Sequence, residues 1–368
     1  MANYSWTIEH SANQGTSWTS ITSYVQNWSY SYGRRSVTDQ WSTGTGFVEG
    51  IKPNNLPAIS IGDWIRFYEA SLNTVYILQV GDYKRQYNIA GASADRWEIS
   101  LEDAYSQVGR ARAQYTATSA AGDSAKVVLD LGAIVAGILA DTTGGNWSKC
   151  SAITVAIGEP ISDEVNKLNF QAGAYIQSHR VDQGIDWYGF DATDWYGDPT
   201  NHFHETKYSD AGGGGTHFEY EQIQFEGLAN SYFDSVYVEP AGLATQIAGS
   251  GSRTYGIQTY DQTTAQAQSW AEYLLIQLSG KTQTPSILVT SAQTQQGPLP
   301  DLLELLPGNV LEIVLRGSEY YAIIEGGTVS ATPSDTRISL SLSDRDAVNY
   351  LLLNNSNWGR LDENRLGF

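Results

Sequence analysis

The chain has 368 residues, a formal net charge of −19 and a hydrophobic content of 41%. This length allows about two or three domains, and the hydrophobic content excludes a generally disordered chain. A basic nucleic-acid-binding surface is excluded, because phosphate affinity depends on clustered Lys and Arg. The 36 Gly, 23 Tyr and 11 Trp, with only 17% charged residues, are typical of short β-strands joined by turns.

Cysteine content and apolar runs limit the compartment and the chemistry. Cys150 is the single cysteine, so neither an intrachain disulfide nor a cysteine-based metal site is possible. No basic stretch followed by an apolar run opens the sequence, and we expect no secretory signal. The most apolar stretch, 127–140, is too short to cross a bilayer. We therefore expect no membrane span and folding in a cytoplasm.

The first hundred residues are predicted to be all-β. Large apolar side chains alternate with small polar ones, which is the period of half-buried strands. The predicted strands are Tyr4–Glu9, Thr19–Tyr24, Trp28–Tyr32, Asp63–Tyr68, Val75–Val80 and Trp97–Leu101. Gly44, Gly46, Gly50 and residues 53–55 are interpreted as turns between them.

Helical patterns appear in the middle of the chain. Val127–Leu139 has dense apolar residues, and Ser162-Asp163-Glu164 can cap a second helix that runs to about Phe170. A third helix begins after Asp261 or Thr263 and ends near residues 279–280. Its apolar residues recur at spacings of three to four: Ala267, Trp270, Leu274 and Leu278. Residues 171–225 alternate strand-like runs with long loops rich in Gly and Asp.

A β pattern then returns as an internal repeat. The first copy reads Gly62-Asp63-Trp64-Ile65, Tyr76-Ile77-Leu78-Gln79-Val80-Gly81 and Ile99-Ser100-Leu101-Glu102-Asp103. The second copy reads Gly308-Asn309-Val310-Leu311, Tyr321-Ala322-Ile323-Ile324-Glu325-Gly326 and Leu340-Ser341-Leu342-Ser343-Asp344. The blocks are separated by 246, 245 and 241 residues. Any two antiparallel meanders share turn glycines, but three blocks in one order favour two similar domains.

These patterns predict a mainly β protein with an α/β middle domain and two related β-barrel domains. The second barrel is expected to be discontinuous, because the strand-like stretch His217–Val238 precedes the third helix. The expected boundaries are 1–110 for the first barrel, 111–205 with 241–300 for the middle domain, 206–240 with 301–350 for the second barrel, and 351–368 for a C-terminal tail.

Several segments resemble minor tail or baseplate hub proteins of long-tailed phages, especially those that infect actinobacteria. Residues 18–25 and 29–34 are similar to the opening strands of that family. Residues 252–256, together with the helix around Trp270, are similar to its internal helix. The most specific segment is the end, Trp358-Gly359-Arg360-Leu361-Asp362-Glu363-Asn364-Arg365-Leu366-Gly367-Phe368. The resemblance touches about two thirds of the chain, and residues 171–250 depart from it.

The resemblance implies a homotrimer in the tail tip of the virion. Two barrel domains in each of three chains would form a ring of six similar units, which adapts a three-fold tip to a six-fold tail tube. The implied partners are tail tube or distal tail proteins, a tip or fibre protein and, as a further candidate, a tape measure protein. DNA would pass through the ring without specific binding. Trp358, Arg360, Arg365 and Phe368 are the expected assembly residues.

A tetrapeptide occurs twice in the central region, as Asp186-Trp187-Tyr188-Gly189 and Asp194-Trp195-Tyr196-Gly197. Carboxylates beside aromatics can contact a sugar, and a glycosidase needs two carboxyl groups. Exposed turns or a hairpin whose aromatics pack on a neighbour are the favoured interpretation. Glycan or receptor contact by Trp187, Tyr188, Trp195 and Tyr196 is the alternative, and a tail-associated hydrolase ranks below it.

Four of the five histidines lie close together in the sequence. His202 and His204 are two residues apart, so a strand would place both on one face, and His217 and Glu219 follow. Zinc accepts such ligands, with His179 and Glu205 as further candidates. A structural strand pair is favoured over a metal site. No phosphate loop, dinucleotide fingerprint or nucleophile elbow occurs, and we expect no cofactor and no enzymatic activity.

Overall fold

The computed structural model describes most of the chain. The described residues are 6–36, 39–41, 43–69, 74–87, 95–113, 116–121, 140–141, 150–172, 174–178, 185–189, 201–204, 216–225, 232–279, 285–291, 302–303, 305–332 and 335–344. The first predicted helix, 127–139, lies outside them. No helix in the described part is long and apolar enough to cross a membrane.

Strands dominate the structure, as the sequence predicted. The strands are β1 (Thr7–Ser11), β2 (Thr19–Ser20), β3 (Val25–Gly33), β4 (Thr45–Ile51), β5 (Trp64–Glu69), β6 (Thr74–Gln86), β7 (Arg96–Glu102), β8 (Ala117–Ser119), β9 (Ala140–Asp141), β10 (Ile153–Val155), β11 (Ala174–Ser178), β12 (Ile185–Gly189), β13 (Asn201–His204), β14 (Thr216–Glu219), β15 (Gln222–Gln224), β16 (Ser235–Pro240), β17 (Gln246–Gly249), β18 (Thr254–Thr259), β19 (Ile287–Ser291), β20 (Val310–Leu315), β21 (Ser318–Thr332) and β22 (Asp335–Asp344). The helices are α1 (Tyr105–Arg110), α2 (Ile161–Ala172) and α3 (Thr264–Leu278), with 3-10 turns at Thr22–Tyr24 and Pro53–Asn55.

One large sheet connects the two ends of the chain. Its strands follow the order β14-β13-β20-β21-β3-β4-β7-β6-β5-β1-β2, and β22, β19 and β15 branch from β21. Three smaller sheets contain β8 with β10, β9 with β11 and β12, and β16 with β17 and β18. Among the described strands the large sheet does not close into a barrel. Barrel closure and the domain boundaries remain predictions.

The internal repeat appears as two five-stranded antiparallel units. The first has the order β3-β4-β7-β6-β5, and the second has the order β15-β19-β22-β21-β20. We call them the first unit and the second unit. The sequence repeat covered only the last three strands of each unit, so the duplication extends further than the matching residues indicated.

Hydrogen bonds at the hairpins fix which residues are equivalent. In the first unit the Gly62 amide donates to the Val80 carbonyl at 2.8 Å, and in the second unit the Gly308 amide donates to Ile324 at 2.6 Å. Both glycines have positive φ, 92° and 91°, which their turn requires. A β-bulge follows at once in each unit, between Val80 and Asp82 and between Ile324 and Gly326.

This register corrects the sequence alignment by one residue. Val80 corresponds to Ile324, a separation of 244 residues and not 245. Tyr76 therefore corresponds to Tyr320, and the bulge residue Gly81 to Glu325. The alignment was wrong here because it matched residue types, Tyr with Tyr and Gly with Gly, whereas the hairpin hydrogen bonds and the bulge define the equivalent positions.

Two glycines interpreted as turn residues lie inside a strand. Gly46 and Gly50 belong to β4, which the sequence analysis missed. A Cβ added to Gly50 would lie 1.9 Å from the Tyr24 carbonyl oxygen and 2.6 Å from the Trp97 ring. Glycine therefore permits a close approach of strand, carbonyl and indole. The other turn prediction, at Pro53–Asn55, is confirmed. Thr19–Tyr24 contains only the short β2 before a 3-10 turn.

The helices agree with their sequence signals in most respects. Thr263 caps α3. Its hydroxyl accepts a hydrogen bond from the Gln266 amide at 3.2 Å, and the Gln266 side-chain oxygen accepts one from the Thr263 amide at 3.1 Å. Ala267, Leu274 and Leu278 are buried as predicted, and Trp270 is partly buried. The second helix begins at Ile161, so Ser162-Asp163-Glu164 occupies its first turn and does not precede it.

Two apolar cores hold these elements. One core combines side chains of both units, with Trp28 stacked on Phe67 at 4.3 Å and with Ile324 and Leu340 fully buried. The other contains residues of α1, α2, α3 and β16. Because the first core spans both units, they share the burial of apolar surface that stabilises them.

The close approach at β4 predicts opposite effects for two Gly-to-Ala substitutions. Gly50→Ala should lower the free energy of unfolding by about 2 kcal/mol or more, because neither the Tyr24 carbonyl nor Trp97 can withdraw without cost. Gly109→Ala, in α1, meets no atom nearer than Thr43 Oγ1 at 3.6 Å and should stabilise by up to about 1 kcal/mol. Urea denaturation measures both, and equal effects would contradict the close approach.

Candidate functional site

The two units meet where β3 pairs with β21. Six residue pairs form an antiparallel ladder from Gly33 opposite Gly326 to Trp28 opposite Ala331. A Cβ on Gly33 would lie 2.4 Å from the Glu325 carbonyl oxygen, and one on Gly326 would lie 2.4 Å from the Tyr32 carbonyl oxygen. Glycines on both strands therefore allow the backbones to approach closely. We call this ladder the junction.

A buried ion pair closes one end of the junction. Arg34 Nε donates to Glu325 Oε2 at 2.6 Å, and the Arg34 amide donates to the Glu325 carbonyl at 3.0 Å. The Ser343 hydroxyl donates to the other carboxylate oxygen of Glu325 at 2.5 Å. Both charged side chains are buried, with 9% and 1% of their surface exposed. Arg34 also lies over the Trp41 ring at 4.9 Å.

This pair perturbs a neighbouring tyrosine. Burial raises the pKa of Tyr273 on α3 well above its ordinary value, and the Glu325 carboxylate raises it further, while Arg34 opposes the shift. The same junction thus connects both units to α3. The sequence analysis missed Arg34 and Glu325, and no local pattern connects residues 291 positions apart.

A polar cleft of about 370 Å³ lies beside Arg34, against α2 and β18. Its charged lining residues are Arg34, Asp39, Glu159, Asp163, Glu164 and Lys167. Lys167 is paired with Glu164 at 2.8 Å. Because the acidic groups outnumber the basic ones, the field in the cleft disfavours phosphate and other anions.

The predicted histidine cluster forms on paired strands. His202 and His204 lie on β13, and His217 lies on β14, which runs parallel to it. The His202 and His217 rings stack at 4.8 Å, and His204 Nε2 lies 3.1 Å from His217 Nδ1. His202 Nδ1 contacts Glu312 on β20. The two-residue spacing predicted His202 and His204 on one strand, and the pairing of β13 with β14 brings His217 beside them.

The cluster has a simple structural role as well as its candidate chemistry. Phe203 and Phe218 lie on the same two strands as the histidines but are buried on the opposite face, where their rings stack at 5.0 Å. No group of three or more His, Cys, Asp or Glu among the described residues is arranged to hold a metal ion. The metal hypothesis for His202, His204 and His217 remains a prediction, because His179 and Glu205 lie outside the described part.

The remaining sequence candidates are placed only in part. Trp187 and Tyr188 belong to β12, where they pair with Ile176 and Tyr175 of β11 in a small sheet apart from the junction. Trp195 and Tyr196 lie outside the described residues, as do the C-terminal Trp358, Arg360, Arg365 and Phe368. Ligand contact and assembly by these residues remain predictions.

Other perturbed groups have structural causes. Burial raises the pKa of Asp261 to about 6, although the Thr259 hydroxyl donates to it at 2.5 Å. Burial and a hydrogen bond to Glu164 raise the pKa of Tyr260. The hydrogen bond from Tyr260 to Glu164 joins α2 to the segment that precedes α3, and Asp261 lies next to Tyr260 in that segment. Structural polar networks shift pKa values as active sites do, and here packing accounts for the shifts.

Breaking the buried ion pair should destabilise the fold strongly. Arg34→Met leaves the Glu325 carboxylate buried without its cation, and we expect a loss of about 3 kcal/mol in the free energy of unfolding. The matched control is Arg110→Met, since Arg110 pairs with Glu102 while 64% of its side chain is exposed. That surface pair should contribute less than about 1 kcal/mol. Equal losses in urea denaturation would show that Arg34 carries no special role.

The histidine cluster predicts a loss of stability in acid. Burial lowers the pKa of His204, and the His217 and His202 charges lower it further. The unfolded chain then binds a proton as the pH falls below about 6.5, whereas the folded chain binds it only at lower pH. Stability therefore decreases as the pH falls through this window. His204→Gln should flatten the fall in Tm between pH 7 and 5, and an unchanged slope would contradict this origin.

Comparison with known proteins identifies the fold. No protein-family model matches the chain, and no curated protein sequence matches it. Among solved structures, the 43 kDa tail protein of prophage MuSo2 from Shewanella oneidensis is similar with a TM-score of 0.63 and 11% identity, over 94% of this chain and 98% of that one. A tail protein from Neisseria meningitidis gives 0.60 and 12%, over 93% and 97%.

A third similar structure comes from Escherichia coli. It is a component of the type VI secretion system with structural similarity to bacteriophage T4 tail proteins. Its TM-score is 0.51 at 12% identity, over 91% of this chain and 75% of that one. At such low identity the likeness concerns the fold alone. This chain has the mainly β fold of phage tail and type VI secretion proteins.

Proposed function

We propose that the chain is a structural subunit of a phage tail tip, a baseplate hub that forms a trimeric ring of six similar units around the DNA exit channel. The observation that carries this proposal is the duplication. The first and second units have the same strand order and the same hairpin hydrogen bonds, and both have a β-bulge after the same residue.

Symmetry explains why a duplicated chain suits this position. A ring of three identical single-unit chains offers three equivalent surfaces, whereas a six-fold tube requires six. Two equivalent units in each chain make six from three copies, provided that the units relate to each other as neighbouring chains do. The junction supports this proposal, because it joins the two units of one chain by a defined strand pairing.

Charge supports passage of DNA without retention. Three copies carry −57 formal charges, three times the −19 of one chain. Proteins hold DNA by releasing condensed counterions with Lys and Arg, and an acidic ring lacks this source of affinity. The proposal requires no catalytic residue and no cofactor, in agreement with the packing origin of the perturbed groups.

Location and partners follow from the same proposal. The similar folds support a place in a phage tail, and the restriction to actinobacterial phages depends on the C-terminal resemblance. The ring would contact tail tube or distal tail proteins on one side and a tip or fibre protein on the other, with a tape measure protein as a further partner. We assign attachment to the C-terminal segment with Trp358, Arg360, Arg365 and Phe368.

Solution mass and assembly test the proposal together. The full chain should form a species of about 121 kDa, three times the 40.3 kDa of one chain, measured by light scattering. Electron microscopy of this species should show a ring with a central hole. Deletion of residues 356–368 should leave the folded trimer intact and abolish incorporation into tails.

Two results would contradict these assignments separately. A monomer at every concentration would remove the ring. Normal tail incorporation of the deletion variant would remove the assembly role of the C-terminal segment and leave the ring untouched.

A further inference from the structure

We propose that neighbouring copies join by strand addition, with β6 of one chain pairing in antiparallel register with β15 of the next. This contact would repeat the junction between chains. The inference depends on the ring proposed above, and it names the surfaces and the register through which the ring closes.

The proposed contact follows the pattern of β21, which pairs with two different strands along one edge. Residues 318–323 of β21 pair with β20, and residues 326–331 pair with β3. Residues 322–324 and 326–332 of β21 also pair with β22, so β20 and β3 lie on the same edge of β21, opposite β22. The long strand thus holds its own hairpin partner at one end and the other unit at the other end.

The first unit contains the same edge with its second half uncovered. Residues 74–79 of β6 pair with β5 as β21 pairs with β20. The following residues, 82–86, pair with β7 on one edge, and no described strand lies on the other edge. With the separation of 244 residues, residues 82–87 correspond to residues 326–331, which form the junction.

The complementary edge belongs to β15. In the second unit β15 occupies the position that β3 occupies in the first. Ile223 of β15 lies opposite Leu288, and Trp28 of β3 lies opposite Val48, so Ile223 corresponds to Trp28. β15 pairs with β19, and no described strand lies on its other edge. Trp28 is opposite Ala331 in the junction, so Ile223 should lie opposite Tyr87 of a neighbouring chain.

Exposed side chains mark both edges. Tyr87, directly after β6, is 49% exposed, and Phe225, directly after β15, is 42% exposed, and both are large aromatic residues. Their equivalents in the junction, Ala331 and Tyr30, are 3% and 6% exposed. The proposed pairing would cover Tyr87 and Phe225 as the junction covers those residues.

Polar atoms on β6 point to the same conclusion. The Tyr83 hydroxyl and Arg85 Nε are buried and have no hydrogen-bond partner among the described residues. Buried polar atoms normally have partners, so this edge is incomplete in a single chain. In the junction Val329 lies opposite Tyr30. Arg85 corresponds to Val329 and Phe225 corresponds to Tyr30, so Arg85 would lie opposite Phe225.

The contact joins the first unit of one chain to the second unit of the next. The contact is head-to-tail, and its repetition builds a ring.

A disulfide tests the register directly. Directly opposite residues of antiparallel strands are about 4.5–5.5 Å apart at Cα, within the range that a disulfide spans. Mild oxidation of Arg85→Cys with Phe225→Cys should therefore give covalent dimers and trimers on a non-reducing gel. Lys84→Cys with Phe225→Cys is the control, because its thiols project to opposite faces. Cys150 is buried and common to both variants.

The outcomes separate this inference from the ring itself. A light-scattering trimer without cross-links in the Arg85–Phe225 variant would overturn the β6–β15 contact and leave the ring standing. A parent monomer at every concentration would overturn both proposals, and equal cross-linking in the control would overturn the register.

A charge rescue provides a second measurement on variants without cysteine. Phe225→Arg places two guanidinium groups opposite each other across the proposed contact and should lower the fraction of trimer at least ten-fold. Adding Arg85→Glu to it should restore most of the trimer, because the pair becomes attractive. Failure of the second substitution to restore the trimer would overturn the contact.

Discussion

The antiparallel pairing of β3 with β21 is the constraint on which the rest of the structure depends. It converts two similar units into one continuous sheet, and the buried Arg34–Glu325 pair lies at its end. Removing two charges from water is costly, and only close geometry and further hydrogen bonds offset that cost. A shift of β3 by one residue would separate the pair, so these charges favour a single register.

Because backbone hydrogen bonds connect the units, their relative orientation is fixed far more tightly than a flexible linker would allow. A strand pair also has direction, so it relates one unit to the next by a defined rotation and displacement. Repetition of that relation between chains would cover the free edges of β6 and β15. Open edges are a hazard for aggregation, and the exposed Tyr87 and Phe225 would be protected only in the assembled state.

The sequence predicted the local features of this fold better than its long-range ones. Alternation predicted most strands of the first unit, and the capping signals predicted α3, because both depend on neighbouring residues. β4 was missed because Gly46 and Gly50 resemble turn residues, although they permit close packing. β15 has only three residues, too few for a periodic signal, and the junction depends on pairs almost 300 positions apart, such as Gly33 with Gly326.

The histidines and the groups with shifted pKa values lie where strands and helices pack together. The three histidines came together as expected, yet their strands are held by paired Phe203 and Phe218 and by contact with β20. Burial raises the pKa of Asp261, and burial together with a hydrogen bond to Glu164 raises the pKa of Tyr260. The residues that fix the register between the two units are Gly33, Arg34 and Glu325, which lie at the end of the junction.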